Sequence, residues 1–179
     1  MKPLISLMIK VLVPALILAG CSAVTYKYDS RPASGQLEAD LFRIAFTPEK
    51  GEDVYYSWFQ LDVENLSGSP IEIDWNQTAY VLDGKNRGPF VWDGIEPQQV
   101  KDRAVPPSTV APGQKFSLEI SPLAKVAIAH RSDYSAGKDK PGLYSGILPP
   151  GENGIVLAIR VDGQLVRKKL AVTITEEKE

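Results

Sequence analysis

Few residues in this 179-residue chain have the side-chain chemistry for covalent or acid–base work. Cys21 is the only cysteine and His130 the only histidine. Ser132 and Asp133 follow that histidine, and these are the residue types of a nucleophilic triad. A triad needs a base held by an orienting group and a nucleophile in hydrogen-bond reach, usually from distant segments. Neighbours on one strand or loop point different ways, so His130 reads as a surface-loop residue. Carboxylates pair at Asp62 with Glu64 and at Glu72 with Asp74. A glycosidase sets two carboxyls about 5–9 Å apart across a cleft, one with a raised pKa. Carboxylates two apart on a strand share an open solvent face, which supplies neither condition. No Cys/His set has metal-ligand spacing, and DGKNRG (83–88) is too poor in acids for a calcium loop. GPFVWDG and GENG lack the lysine and helix of a phosphate loop. The expectation is therefore a non-enzyme with no catalytic residue, no metal and no cofactor.

The thiol of Cys21 is the exception. It follows an uncharged run, Val11 to Ala19, with Lys2 and Lys10 ahead of it. A positive start, a short apolar middle and small residues before a cut make a secretory signal. Nine helical residues span about 14 Å, half of the roughly 30 Å hydrocarbon core. A longer span would bury Lys10 and contain Pro14. Leu18-Ala19-Gly20-Cys21 resembles the lipobox of bacterial lipoproteins. That resemblance implies cleavage between Gly20 and Cys21, a diacylglycerol on the Cys21 thiol and acylation of the new amino group. One acyl chain binds a membrane with K of about 10⁴ M⁻¹, and a second makes the anchorage firm. An Asp after the cysteine retains enterobacterial lipoproteins in the inner membrane. Ser22 therefore implies sorting to the outer membrane, with the domain facing the periplasm. Losing Lys2 and Lys10 takes the net charge from −2 to −4, an acidity that argues against a nucleic-acid partner. The mature chain has no second cysteine to pair, so its core must hold it.

Three segments are expected: a cleaved signal over 1–20, the lipidated cysteine and a flexible linker over 21–36, and one domain over 37–179. The polar linker, with Pro32 and Gly35, would average about 20 Å if flexible. Within the domain the apolar period is two. WFQLDVEN turns Phe59, Leu61 and Val63 one way, PIEIDWN turns Ile71, Ile73 and Trp75, and KFSLEIS turns Phe116, Leu118 and Ile120. QLEADLFRIAF fits an opening strand with Phe42, Ile44 and Phe46 inward. GIVLAIRV and LVRKKLAVTIT form a last pair around Asp162-Gly163, the residues of a type I′ hairpin turn. SPLAKVAIAHR is the nearest candidate for a short helix. VENLSGSPIEID and TVAPGQKFSLEI are similar to segments of bacterial immunoglobulin-like domains. That resemblance implies an all-β, antiparallel immunoglobulin-like sandwich of about seven or more strands. Two long connections, 83–114 and 121–154, depart from the minimal sandwich, and connections of that length hide short strands or carry function. PFVWDG and PQQVKDR suit such strands.

The connections also hold the interaction candidates. Trp75, Tyr80, Phe90 and Trp92 fall in one region, flanked by Asn, Asp and Gln, the materials of either a core or a binding platform. Trp92 is the platform candidate. Asp102 and Arg103 precede Pro106-Pro107, where the arginine would pin the connection to a carboxylate. Asn65-Leu66-Ser67 and Asn76-Gln77-Thr78 match the glycosylation triplet, a match that is usually accidental in bacteria. The expected function is that of a membrane-anchored, non-enzymatic binding or structural module for an envelope protein or cell-wall polymer. A carbohydrate- or peptidoglycan-binding module is the alternative, and a hydrolase with two buried carboxylates a third.

Overall fold

Alternation of large apolar with polar residues builds two antiparallel sheets whose apolar faces meet. A computed structural model describes residues 25–51, 54–129 and 142–178. Gly20, Cys21 and Ser22 lie outside the described residues, as do His130, Ser132 and Asp133. The first sheet runs β1 (Tyr26–Arg31), β14 (Gln164–Lys178), β13 (Gly151–Val161), β5 (Ile71–Ile73) and β9 (Ser108–Val110). β6 (Ala79–Leu82) also pairs with β13 and carries β7 (Lys85–Gly88). The second sheet runs β2 (Gly35–Glu38), β3 (Phe42–Glu49), β4 (Trp58–Asn65), β10 (Lys115–Pro122) and β8 (Phe90–Val91). A separate ribbon pairs β11 (Val126–Ala129) with β12 (Gly142–Ser145). The order β3-β4-β10-β8 facing β14-β13-β5 is the ABED and CFG order of the immunoglobulin constant plan. The all-β antiparallel sandwich is thus the fold.

Most residues that the period-two reading turns inward lie in the core, joined by others that the alternation does not mark, such as Tyr80, Phe90, Val105 and Leu148, while Phe116 and Leu118 are only partly buried against it. Phe42, Ile44, Phe46, Phe59, Leu61 and Val63 from one sheet meet Ile71, Ile73, Ile155, Leu157, Ile159 and Val172 from the other. Phe46 and Phe59 stack at 4.2 Å, and Phe90 meets both edge-on. Each such side chain contributes about 1.5–3 kcal/mol by leaving water. At the turn between β13 and β14, Asp162 and Gly163 take φ of 48° and 75°. Both positive angles are what a type I′ turn demands.

Four local expectations are corrected. First, the linker drawn to residue 36 is not a tether over its whole length. Tyr26 to Arg31 pair with Thr173 to Lys178 of β14, and Gly35 to Glu38 pair with β3. Ser30 alternates into the interior, and Gly35 approaches β14 so closely that a Cβ would meet the Ala171 carbonyl at 3.1 Å. Second, PQQVK is a short helix, α1 (Pro97–Lys101), with the proline in its first turn, where the missing N–H is not needed. Third, SPLAKVAIA yields only one 3₁₀ turn (Leu123–Lys125) before β11. Fourth, Asp74 does not share the solvent face of Glu72. The chain leaves strand geometry after Ile73, and Asp74 turns inward to only 9% exposure. Its carboxylate accepts hydrogen bonds from Arg160 and Gln77, each at 2.9 Å.

Two buried asparagines hold the turns. Asn65 donates from Nδ2 to the carbonyls of Ser69 and Val110, both at 2.8 Å, and its Oδ1 accepts from the Ser67 amide and hydroxyl. Asn153 donates to the carbonyls of Pro149 and Gly151 and accepts the Tyr80 hydroxyl at 2.5 Å. Burial, with a smaller contribution from Asp83, raises the Tyr80 phenol above its ordinary 10.0, while Arg87 opposes the rise. A raised folded-state pKa gives stability that is complete below the unfolded value and is lost as pH rises through the folded one. Stability is therefore expected to fall as pH climbs beyond 10.0. Tyr80→Phe should flatten that alkaline loss, at a neutral-pH cost of about 1–2 kcal/mol for the stranded Asn153 oxygen. Urea unfolding on both sides of that pH checks this; an unchanged alkaline slope in the variant would contradict it.

Candidate functional site

The outward residues of β4 and β10 form the floor of an open groove. Trp58 and Gln60 come from β4, and Ser117, Glu119 and Ser121 from β10. Gln60 donates to Ser117 Oγ at 2.9 Å, and Ser117 donates to Asp62 at 2.6 Å. This cross-strand chain fixes the polar floor. Segment 83–114 supplies one wall through Val91, Trp92 and Asp93. Segment 121–154 supplies the other through Val126, Leu143 and Ser145 of the ribbon. The Ser121 and Ser145 hydroxyls lie 2.6 Å apart and tie the ribbon to the sheet. The two long connections converge on a concavity of about 510 Å³, within the range of small-ligand sites.

The groove is aromatic at two points. Trp58 packs over Gly51, whose φ of +62° suits glycine and whose Cβ, if present, would lie 2.5 Å from Trp58 Cη2. Trp92 tilts against Trp75 at a centroid distance of 4.5 Å. Trp75 itself is core, with 4% exposure and its indole N–H donated to Ser108 at 2.8 Å. Trp92 is half-buried, so it is both a packing residue and a groove wall. Asp93 and Glu119 are the charged lining residues, both exposed. No lysine or arginine lines this groove among the described residues. Its field favours neutral or cationic ligands and opposes anions.

Asp102 and Arg103 are not brought to Trp92. Asp102 caps α1 and accepts from Gln98 at 2.8 Å. Arg103 makes no ion pair among the described residues and lines a second cleft of about 530 Å³ with Lys101 and Arg167. The Trp75–Trp92 pair stands between the two concavities, since Trp75 lines the second and Trp92 the first. Asn76 does the pinning expected of Arg103. It donates to the Val105 carbonyl at 2.8 Å and accepts the Val105 amide at 3.1 Å. A neutral amide can satisfy both backbone groups at once, which a guanidinium cannot.

Sequence reasoning missed Trp58, Gln60, Ser117 and Glu119 as site residues. The signal was present in the alternation, which turned them outward, but nothing local showed that two distant segments would wall them in. Among the described residues, no group of three or more His, Cys, Asp or Glu is placed to hold a metal. No described helix is long and apolar enough to cross a membrane.

No protein-family model matches the sequence, and no curated protein does. Among solved structures, a crystal structure of a protein from Archaeoglobus fulgidus aligns over 88% of this chain and 96% of its own, at 15% identity. Its TM-score is 0.27, a level at which the likeness carries no argument about fold or function.

Proposed function

We propose that the chain is a lipid-anchored, non-enzymatic binding module of the bacterial envelope, held by Cys21 and facing the periplasm, whose groove takes an envelope component. The observation that supports a binding role is the convergence of segments 83–114 and 121–154 on one concavity over the β4–β10 floor. Anchorage rests on Leu18-Ala19-Gly20-Cys21 and the apolar run before it. Two exposed carboxylates in an open groove suit recognition better than acid catalysis, which asks for a buried, neutral carboxyl.

A second reading, a glycan of the cell wall as the ligand, is favoured by Trp58 and Trp92 beside Gln60, Ser117 and Glu119. An indole face stacks on the C–H face of a sugar, while amide, hydroxyl and carboxylate take its hydroxyls. Trp58→Ala should weaken retention of the mature chain on purified cell-wall polymer about tenfold, the loss of roughly 1.4 kcal/mol. Glu119→Gln should weaken it less. If the wild type ignores the polymer but captures an envelope protein that Trp58→Ala loses, the protein partner is the ligand. Identical polymer retention and partner capture in wild type and both variants would remove the groove assignment.

A further inference from the structure

The pole of the sandwich nearest Cys21 carries three of the five exposed large apolar or aromatic side chains among the described residues, the other two, Leu41 and Leu66, lying together at the opposite pole. β1 starts at Tyr26, paired with Lys178, so the chain leaves the fold there toward Cys21. Four residues separate them, and five peptide steps reach at most about 18 Å. With Cys21 at the membrane surface, this pole is confined within about that distance of the headgroups.

Tyrosines gather at the same pole. The Tyr28 and Tyr55 rings lie 6.4 Å apart in an edge-on arrangement. Lys50 donates to the Tyr28 carbonyl at 2.6 Å and sits 4.8 Å from the Tyr56 ring centroid. The Leu148 amide donates to the Tyr56 carbonyl at 2.8 Å, which brings the 147–150 turn alongside. Three large apolar or aromatic residues project from this cluster into solvent: Tyr26 at 45%, Val54 at 61% and Ile147 at 46% exposure. Tyrosine has an apolar body and a polar tip, and it concentrates where one end is dry and the other wet.

We propose that this pole rests on the bilayer, with Tyr26, Val54 and Ile147 entering the headgroup layer and the surrounding tyrosines at its level. The proposal rests on the anchored reading and adds an orientation to it: the sandwich stands on its β1 end and does not swing freely. The charges of the pole are of both signs, Lys27 and Lys178 beside Glu177, with the Glu176 carboxylate accepting the Tyr28 hydroxyl. The contact is therefore aromatic and apolar, not polybasic, and should be insensitive to salt.

The test uses the mature acylated chain in phosphatidylcholine vesicles. Acylation occupies the native thiol, so a nitroxide attaches only to an introduced cysteine, at Val54→Cys or at Leu41→Cys. Leu41 is a comparable site at the opposite pole, 43% exposed and joined through its carbonyl to the Leu66 amide. Collisions with oxygen, which enriches in lipid, are compared with collisions with a water-soluble nickel chelate. The expected result is a severalfold rise in the oxygen-to-nickel ratio at position 54 on vesicle binding, unchanged in high salt, with position 41 remaining aqueous. Equal, aqueous behaviour at both positions in a chain whose mass shows the acyl groups would overturn the orientation alone. A mass without acyl groups would overturn the anchored reading and the orientation with it.

Discussion

Asn65→Ala is expected to lower the unfolding free energy by about 3–4 kcal/mol. Asn65 is fully buried at the end of β4. Its amide nitrogen satisfies the carbonyls of Ser69 in the loop after β4 and of Val110 at the end of β9, and its amide oxygen satisfies both hydrogen-bonding groups of Ser67. Alanine removes four hydrogen bonds of about 1 kcal/mol each and strands the Val110 carbonyl, which lies inside. Its own backbone bonds to Gln114 and Gly113 persist, so the fold is weakened, not redirected. Asn65→Asp should be at least as harmful, because a carboxylate then faces two carbonyl oxygens. Ser67→Ala should cost only about 1 kcal/mol. Urea unfolding is the measurement, with the midpoint falling by about 1.5–2 M at an unchanged m of about 2 kcal/mol/M. A midpoint shift under a third of that would show that the turns hold themselves.

The second large effect lies at the membrane. Placed behind an ordinary secretory signal, Cys21→Ser should give a chain that is secreted, folded and free of the envelope. A single acyl chain is worth a binding constant of about 10⁴ M⁻¹ and a second adds at least as much. Flotation with vesicles should therefore show a fall in bound protein of more than about 10⁴-fold in partition. The aromatic pole around Tyr26 and Val54 contributes too little to replace the anchor. Its three projecting side chains bury only a fraction of what an acyl chain does, at about 0.8 kcal/mol per CH₂. A Cys21→Ser chain that still floats with vesicles would mean that something other than the thiol holds the protein there.

The core was legible because its signal is local. Phe59, Leu61 and Val63 alternate with Gln60, Asp62 and Glu64, and a strand with one buried face can be read from eight residues. Asp162-Gly163 was legible for the same reason, since a two-residue turn is set by its own φ angles. Asp74 was not legible. Its inward turn depends on Arg160, 86 positions away, reaching its carboxylate. PQQVK shows Pro at a helix start, a signal that competes with the strand-like look of the flanking segment. β1 was hidden because YKYDSR pairs only with the end of β14, and a pairing partner 148 positions away leaves no trace in local periodicity. The resemblance of Leu18-Ala19-Gly20-Cys21 to a lipobox is legible as a motif, whereas the groove is not. Trp92 could be singled out by its type, but Trp58, Gln60 and Glu119 become site residues only when the ribbon of Leu143 and Ser145 stands beside β10. Asn76 rather than Arg103 pins the connection, and an amide's double pairing with one backbone unit has no sequence signature.

Both the proposed function and the proposed orientation require the thiol of Cys21 to carry the chain at a membrane. Intact-mass analysis of the mature protein extracted from a bacterial envelope measures this directly. The predicted result is a chain that begins at Cys21 and is heavier than its residues by a diacylglyceryl thioether and an amide-linked acyl group. A chain that begins at another residue, or that begins at Cys21 with an unmodified thiol, would contradict it.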